Sequence, residues 1–169
     1  MFSKINIKYI LIDHIKTLRS HRTGKFSIGD IALFLGIPLM LSSFLSFGSH
    51  IRLDVNFINA LVTSLSVFSA LLFNLLLLIY DILRKDNKES LGAETRRQFL
   101  KEIYANISFS ILISVVTIVF LLILFFDLKI EWLIDIINAI VYFLVINFIL
   151  TILMVLKRVH ILLSQEMKE

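Results

Sequence analysis

Cysteine is absent from the 169 residues, which excludes a disulfide framework, a thiolate metal site and a cysteine nucleophile. Proline occurs once and glycine five times, so little in the chain interrupts long helices. The four histidines, His14, His21, His50 and His160, are dispersed and show no HExxH or other paired ligand spacing. No glycine-rich phosphate loop and no Ser–His–Asp arrangement is evident. No metal and no cofactor is expected, and nothing in the chain reads as an enzyme.

The most informative absence is of charge. Four stretches, 31–51, 55–80, 103–126 and 136–156, contain no Asp, Glu, Lys or Arg. Each has at least 21 residues, and about 20 helical residues cross a hydrocarbon core of roughly 30 Å. Hydrophobic residues make up 58% of the chain and the mean hydropathy is +0.90, above the ~45–50% apolar share of soluble domains. A single soluble core of this size does not hide so much apolar surface. In lipid each segment must satisfy its own backbone hydrogen bonds, so each is expected to be helical. The chain therefore reads as an all-α polytopic membrane protein. Its domain, 26–156, holds four transmembrane helices at about 28–48, 56–80, 104–126 and 135–156, with a charged loop at 81–103.

What charge there is lies almost wholly on one side. The leader 1–25, the loop 81–103 and the tail 157–169 together hold fifteen of the seventeen basic residues, and only Arg52 and Lys129 fall in the other two connections. Positive charge stays in the cytosol, so both termini and the central loop are expected there (N-in/C-in). The leader lacks a long apolar core and a small-residue cleavage site, so it is expected to be retained and not removed as a signal peptide. Residues 9–19 read as an amphipathic helix, with Leu11, Ile15 and Leu18 on one face and Lys8, His14, Lys16 and Arg19 mostly elsewhere. Such a helix suits the surface of the inner leaflet or a neighbouring subunit.

Polar groups inside the apolar stretches carry the functional signal. In the second stretch Asn59, Thr63, Ser66, Ala70 and Asn74 recur at intervals of four, three, four and four residues, one stripe of a helix. Amides facing lipid are costly, so this face is expected to meet protein or water. Helix packing and pore lining both meet that need. The third stretch repeats the pattern more weakly with Asn106, Ser110, Ser114 and Thr117. In the fourth, Asn138 and Asn147 are nine residues apart and point in opposite directions, which suggests one contact within the chain and one with a neighbouring subunit. Pro38, beside Gly36, is expected to kink the first. Trp132 and Tyr80 fall at interface depth as anchors. In the charged loop Arg96, Arg97 and Lys101, with Phe99 nearby, form a candidate surface for a cytosolic partner protein or for an anionic ligand such as a nucleotide or oligonucleotide. The bland alternative is that their charge only anchors topology.

The leader YILIDHIKTLR and the apolar segments GDIALFLGIPLMLSSFLSF and FINALVTSLSVFSALLFNLLLLIYDI resemble, in order and character, the small four-span membrane components of bacterial anti-phage systems such as Hailong and Kiwa. The resemblance implies an inner-membrane protein working beside a cytosolic partner. In the first type the partner makes a nucleic-acid signal that controls a membrane channel, and in the second the membrane protein is an oligomeric sensor and platform. Two functions are thus expected to compete: a homo-oligomeric, channel-forming effector, and a non-conducting scaffold that recruits a partner to the bilayer.

Overall fold

The computed structural model describes residues 7–18, 29, 32–49, 51–85, 93–126 and 130–166. Most of the basic leader beyond the first helix, including Arg19, Arg22 and Lys25, lies outside the described residues, as do Asp30, His50 and Lys129. Among the described residues the fold is all helical: α1 (Lys8–Thr17), α2 (Ala32–Gly48), α3 (Val55–Lys85), α4 (Ala93–Ile123) and α5 (Glu131–Glu166). Three of these, α3, α4 and α5, are long and apolar enough to cross a membrane. The shorter α2 is also apolar.

The long helices outrun the apolar stretches that define them. Leu, Arg, Lys and Glu are good helix formers, so nothing stops a helix where lipid ends. Much of the expected loop 81–103 is accordingly helix, in α3 as far as Lys85 and in α4 from Ala93. The expected tail is mostly the last turns of α5. The starts are marked by acidic groups, which suit the positive end of a helix. The Asp54 carboxylate accepts from the Phe57 amide at the start of α3, and Glu94 and Glu131 open α4 and α5. Helix α2 departs from regular geometry on both sides of its proline. A π-turn at Ala32–Gly36 precedes Pro38, an α segment follows, and a second π-turn occupies Phe44–Gly48. The wide turn before Pro38 accommodates the hydrogen bond and the space that a proline ring takes from the preceding turn of a helix.

The helices form an open row, with α4 between α3 and α5, and α2 on the far side of α5. Helix α1 lies across α4. The apolar seam of the row runs through Ile58, Leu65, Leu72 and Ile79 of α3, seven residues apart. Facing them are Leu100, Ile103, Ile107, Ile113 and Leu121 of α4, with Ile137, Val141, Phe148 and Val155 of α5 beyond. Within the most apolar stretch of each helix, 17% is buried in α3, against 44% in α4 and 28% in α5. Among the described residues helix α3 is therefore an edge, held by α4 alone save for an edge-to-face contact of Phe68 with Phe148 of α5.

Candidate functional site

The sequence points first to the α3 stripe, and the fold turns that stripe outward. Asn59, Thr63, Ser66, Ala70 and Asn74 are all exposed on the side of α3 away from α4. The Thr63 and Ser66 hydroxyls donate to carbonyls of their own helix, Asn59 O at 2.9 Å and Val62 O at 2.7 Å. These bonds satisfy the hydroxyls without a neighbour. Ala70 needs no partner. The amides of Asn59 and Asn74 have no side-chain hydrogen bond among the described residues. They lie fifteen residues apart, about 22 Å along the helix.

The weaker polar pattern of the sequence is the one that packs. Asn106, Ser110, Ser114 and Thr117 of α4 are wholly buried. Ser114 hydrogen-bonds Ser69 of α3 and donates to Ile111 O at 2.7 Å, and Thr117 donates to Ile113 O at 2.7 Å. Among the described residues Asn106 Nδ2 and Ser110 Oγ are buried without a hydrogen-bond partner. The expectation that Asn138 and Asn147 divide between this chain and another is corrected by the fold: both are buried. They do point in opposite directions, but α5 is flanked by α4 on one side and α2 on the other.

A polar junction that no local pattern signals fixes α1 to the row. Asn106 Oδ1 accepts from Thr17 Oγ1 at 2.8 Å and from His14 Nδ1 at 2.9 Å. An acceptor on that side requires the proton on Nδ1 of a neutral ring. The imidazole is stacked on Phe109, and Phe34 of α2 meets it edge-on. Arg158 of α5 donates to Thr17 O at 3.0 Å and pairs with Glu102 of α4 at 2.9 Å. Burial lowers the His14 pKa from 6.5 to about 4; the Asn106 hydrogen bond opposes this and the Arg158 charge adds to it.

Helix α1 is amphipathic, as its sequence suggests, but the face pressed into protein carries His14 and Thr17. Leu11 and Ile15 stay exposed, available to lipid. On either side of α1 lies a cleft. One, of about 520 Å³, is lined almost entirely by apolar groups, among them Leu11, Ile15, Phe34 and Val116. The other, of about 800 Å³, has both charged and apolar walls. Of the three basic residues singled out in the sequence, Lys101 lines this second cleft, while Arg96 and Arg97 stand exposed on the first turns of α4.

At the opposite end of the row α2 and α5 are clasped. Ser46 donates to Asp135 O, Arg52 Nε meets Asp135 Oδ1 at 3.1 Å, and Tyr142 donates to Ile51 O at 3.3 Å. Trp132 is exposed at this end and Tyr80 at the other. Comparison with protein-family models, curated proteins and solved structures gives no match.

Proposed function

We propose that this chain is a homo-oligomeric effector of the bacterial cytoplasmic membrane, crossing it four times with both ends in the cytosol. Copies meet through the outer faces of α3, and the assembly alters membrane permeability by forming an ion-conducting path. The observation that carries this reading is an edge helix, α3, with two unpartnered amides on its exposed face. In hydrocarbon such groups are covered by another helix or by water. One open row of helices encloses no aqueous path, so any path belongs to several copies. For the fourth crossing, the 17 residues of α2 reach about 25 Å and its far end is clasped to the start of α5. The asymmetry of basic residues supports the orientation.

The likeness of the leader and first two apolar segments to anti-phage membrane components supports a role in antiviral defence. In that role a cytosolic partner, or a nucleotide or oligonucleotide signal, acts on the exposed Arg96 and Arg97. The same exposed arginines favour a second reading, a non-conducting scaffold that holds a partner protein at the membrane. Ion flux in liposomes separates the two. Wild type should conduct, and Asn59→Leu and Asn74→Leu should lose flux while still inserting. Normal flux through both variants removes α3 from the path. A wild type that never conducts, and whose Arg96→Glu/Arg97→Glu variant loses a copurifying protein, establishes the scaffold.

A further inference from the structure

The larger cleft beside α1 changes chemistry along the length of α4. Toward the start of α4 it is lined by Lys101, with Lys16 of α1 also in its wall; farther along α4 it is lined by Ile111, and Phe73 and Leu76 of α3 add apolar wall. Ten residues of α4 separate Lys101 from Ile111, about 15 Å. That distance leads from the level of lipid headgroups to the middle of a hydrocarbon core. The two carboxylates in the lining are engaged: Glu102 with Arg158 at 2.9 Å, and Asp13 with Lys16 at 3.0 Å. The Asp13–Lys16 pair is exposed on both sides, and exposed pairs of this kind hold weakly. Lys101 has no ion pair among the described residues. Among the described residues, that end of the cleft therefore keeps a cation without an ion pair, beside an apolar slot.

We propose that this cleft binds one anionic phospholipid from the leaflet on α1's side. Its phosphate sits at Lys101 and Lys16, and one acyl chain lies along Phe73, Leu76 and Ile111. A soluble anion would use the lysines and leave the apolar walls in water; a neutral lipid would use the walls and leave Lys101 uncompensated. Only a ligand with both parts matches both zones. The inference rests on the membrane placement proposed above and on nothing said there about conduction.

The test is native mass spectrometry of the full chain released from detergent, after exposure to phosphatidylglycerol or phosphatidylcholine of equal chain length. Wild type should retain one phosphatidylglycerol in preference to phosphatidylcholine. Lys101→Gln should lower that retention about fivefold, the effect of one cation at an anionic headgroup. Ala105→Phe, which places a ring in the cleft without touching its charge, should lower retention of both lipids. Equal retention of the two lipids by wild type overturns the proposal, as does a Lys101→Gln variant that behaves as wild type. Displacement of the lipid by inorganic phosphate or ATP assigns the cleft to a soluble anion instead. A second copy of the chain seated there in place of lipid, and lost in Lys101→Gln, assigns it to an oligomer contact. Carbonate extraction from membranes is run in parallel. A wild type found outside the membrane removes the membrane reading itself, whereas an inserted protein without lipid preference removes only this site. Should Lys101→Gln fail to insert, Ala105→Phe decides.

Discussion

The imidazole of His14 lies flat on the ring of Phe109, with centroids 3.6 Å apart and planes 12° from parallel, although the two residues sit on different helices. This stack, with the hydrogen bond to Asn106, makes a neutral histidine part of the seat of α1. The consequence is a pH dependence whose sign is fixed. Docked, His14 titrates near 4; released, it returns to 6.5. Between those values the released leader binds the extra proton, so docking gains stability as pH rises. Seating of α1 should be complete above about pH 6.5 and weaken progressively toward about pH 4, by at most about 3–4 kcal/mol. Hydrogen exchange of the α1 amides measures it. Protection should fall between about pH 7 and about pH 5 in wild type. His14→Phe keeps the stack without the titrating group, and its protection should not vary over that range.

Asn106 and Asn74 are both amides within apolar helices, yet they should behave in opposite ways. Asn106 accepts two hydrogen bonds in a fully buried place. Asn106→Leu leaves His14 Nδ1 as a buried donor without an acceptor, while Thr17 keeps its bond to His14 O at 2.7 Å; stranding that one donor costs about 1–3 kcal/mol. Thermal unfolding in detergent should shift downward, with α1 exchanging freely. Asn74 is exposed on α3, so Asn74→Leu should leave the melting of the single chain unchanged and lower only its self-association, read by cross-linking in the membrane. A fall in single-chain stability for Asn74→Leu would place that amide inside the protomer.

The contrast shows what the sequence made legible. Charge-free length identifies α3, α4 and α5, because hydrocarbon thickness sets that length whatever the neighbours are. The inward face of each helix is not legible in the same way. In lipid both the protein-facing and the lipid-facing sides of a helix are apolar, so the polar stripe is the only marker, and it does not say whether its partner lies in this chain or beyond it. Asn59 and Asn74 turn outward, while Asn106 and Ser110 turn inward, from nearly the same pattern. The seat of α1 was hidden for another reason. His14 and Asn106 are 92 residues apart, and nothing local marks His14, among four scattered histidines, as buried. The leader's apolar residues are legible as a face, but Leu11 and Ile15 are left exposed, not pressed into the protein contact.

Glu102 and Arg158 form the one ion pair among the described residues in which both side chains are largely buried, at 14–15% exposure. Removing one partner of such a pair strands the other, typically at about 3–5 kcal/mol. Glu102→Ala should approach that loss, because Arg158 also holds Thr17 O and cannot swing away without freeing α1. Arg158→Met in the same background should recover part of it. A double-mutant cycle on thermal unfolding should therefore give a coupling of roughly 1–3 kcal/mol. Additive losses would mean that the pair contributes nothing beyond its separate contacts.

Ser46 tests the clasp that keeps α2 on α5. Its side chain is 2% exposed and its hydroxyl reaches the Asp135 carbonyl. The close approach of the two helices at this point requires a small residue. Ser46→Leu adds methylenes where there is no room, and overpacking of this kind costs about 1–3 kcal/mol. Ser46→Ala keeps the spacing and loses one hydrogen bond, about 1 kcal/mol. The Arg52–Asp135 contact nearby is half exposed on the arginine side, so Arg52→Gln should cost less than either. Unfolding of the detergent-solubilised chain should thus rank the variants Ser46→Leu, Ser46→Ala and Arg52→Gln from most to least damaging. An inverted order would mean that charge, not close packing, holds α2 in the row.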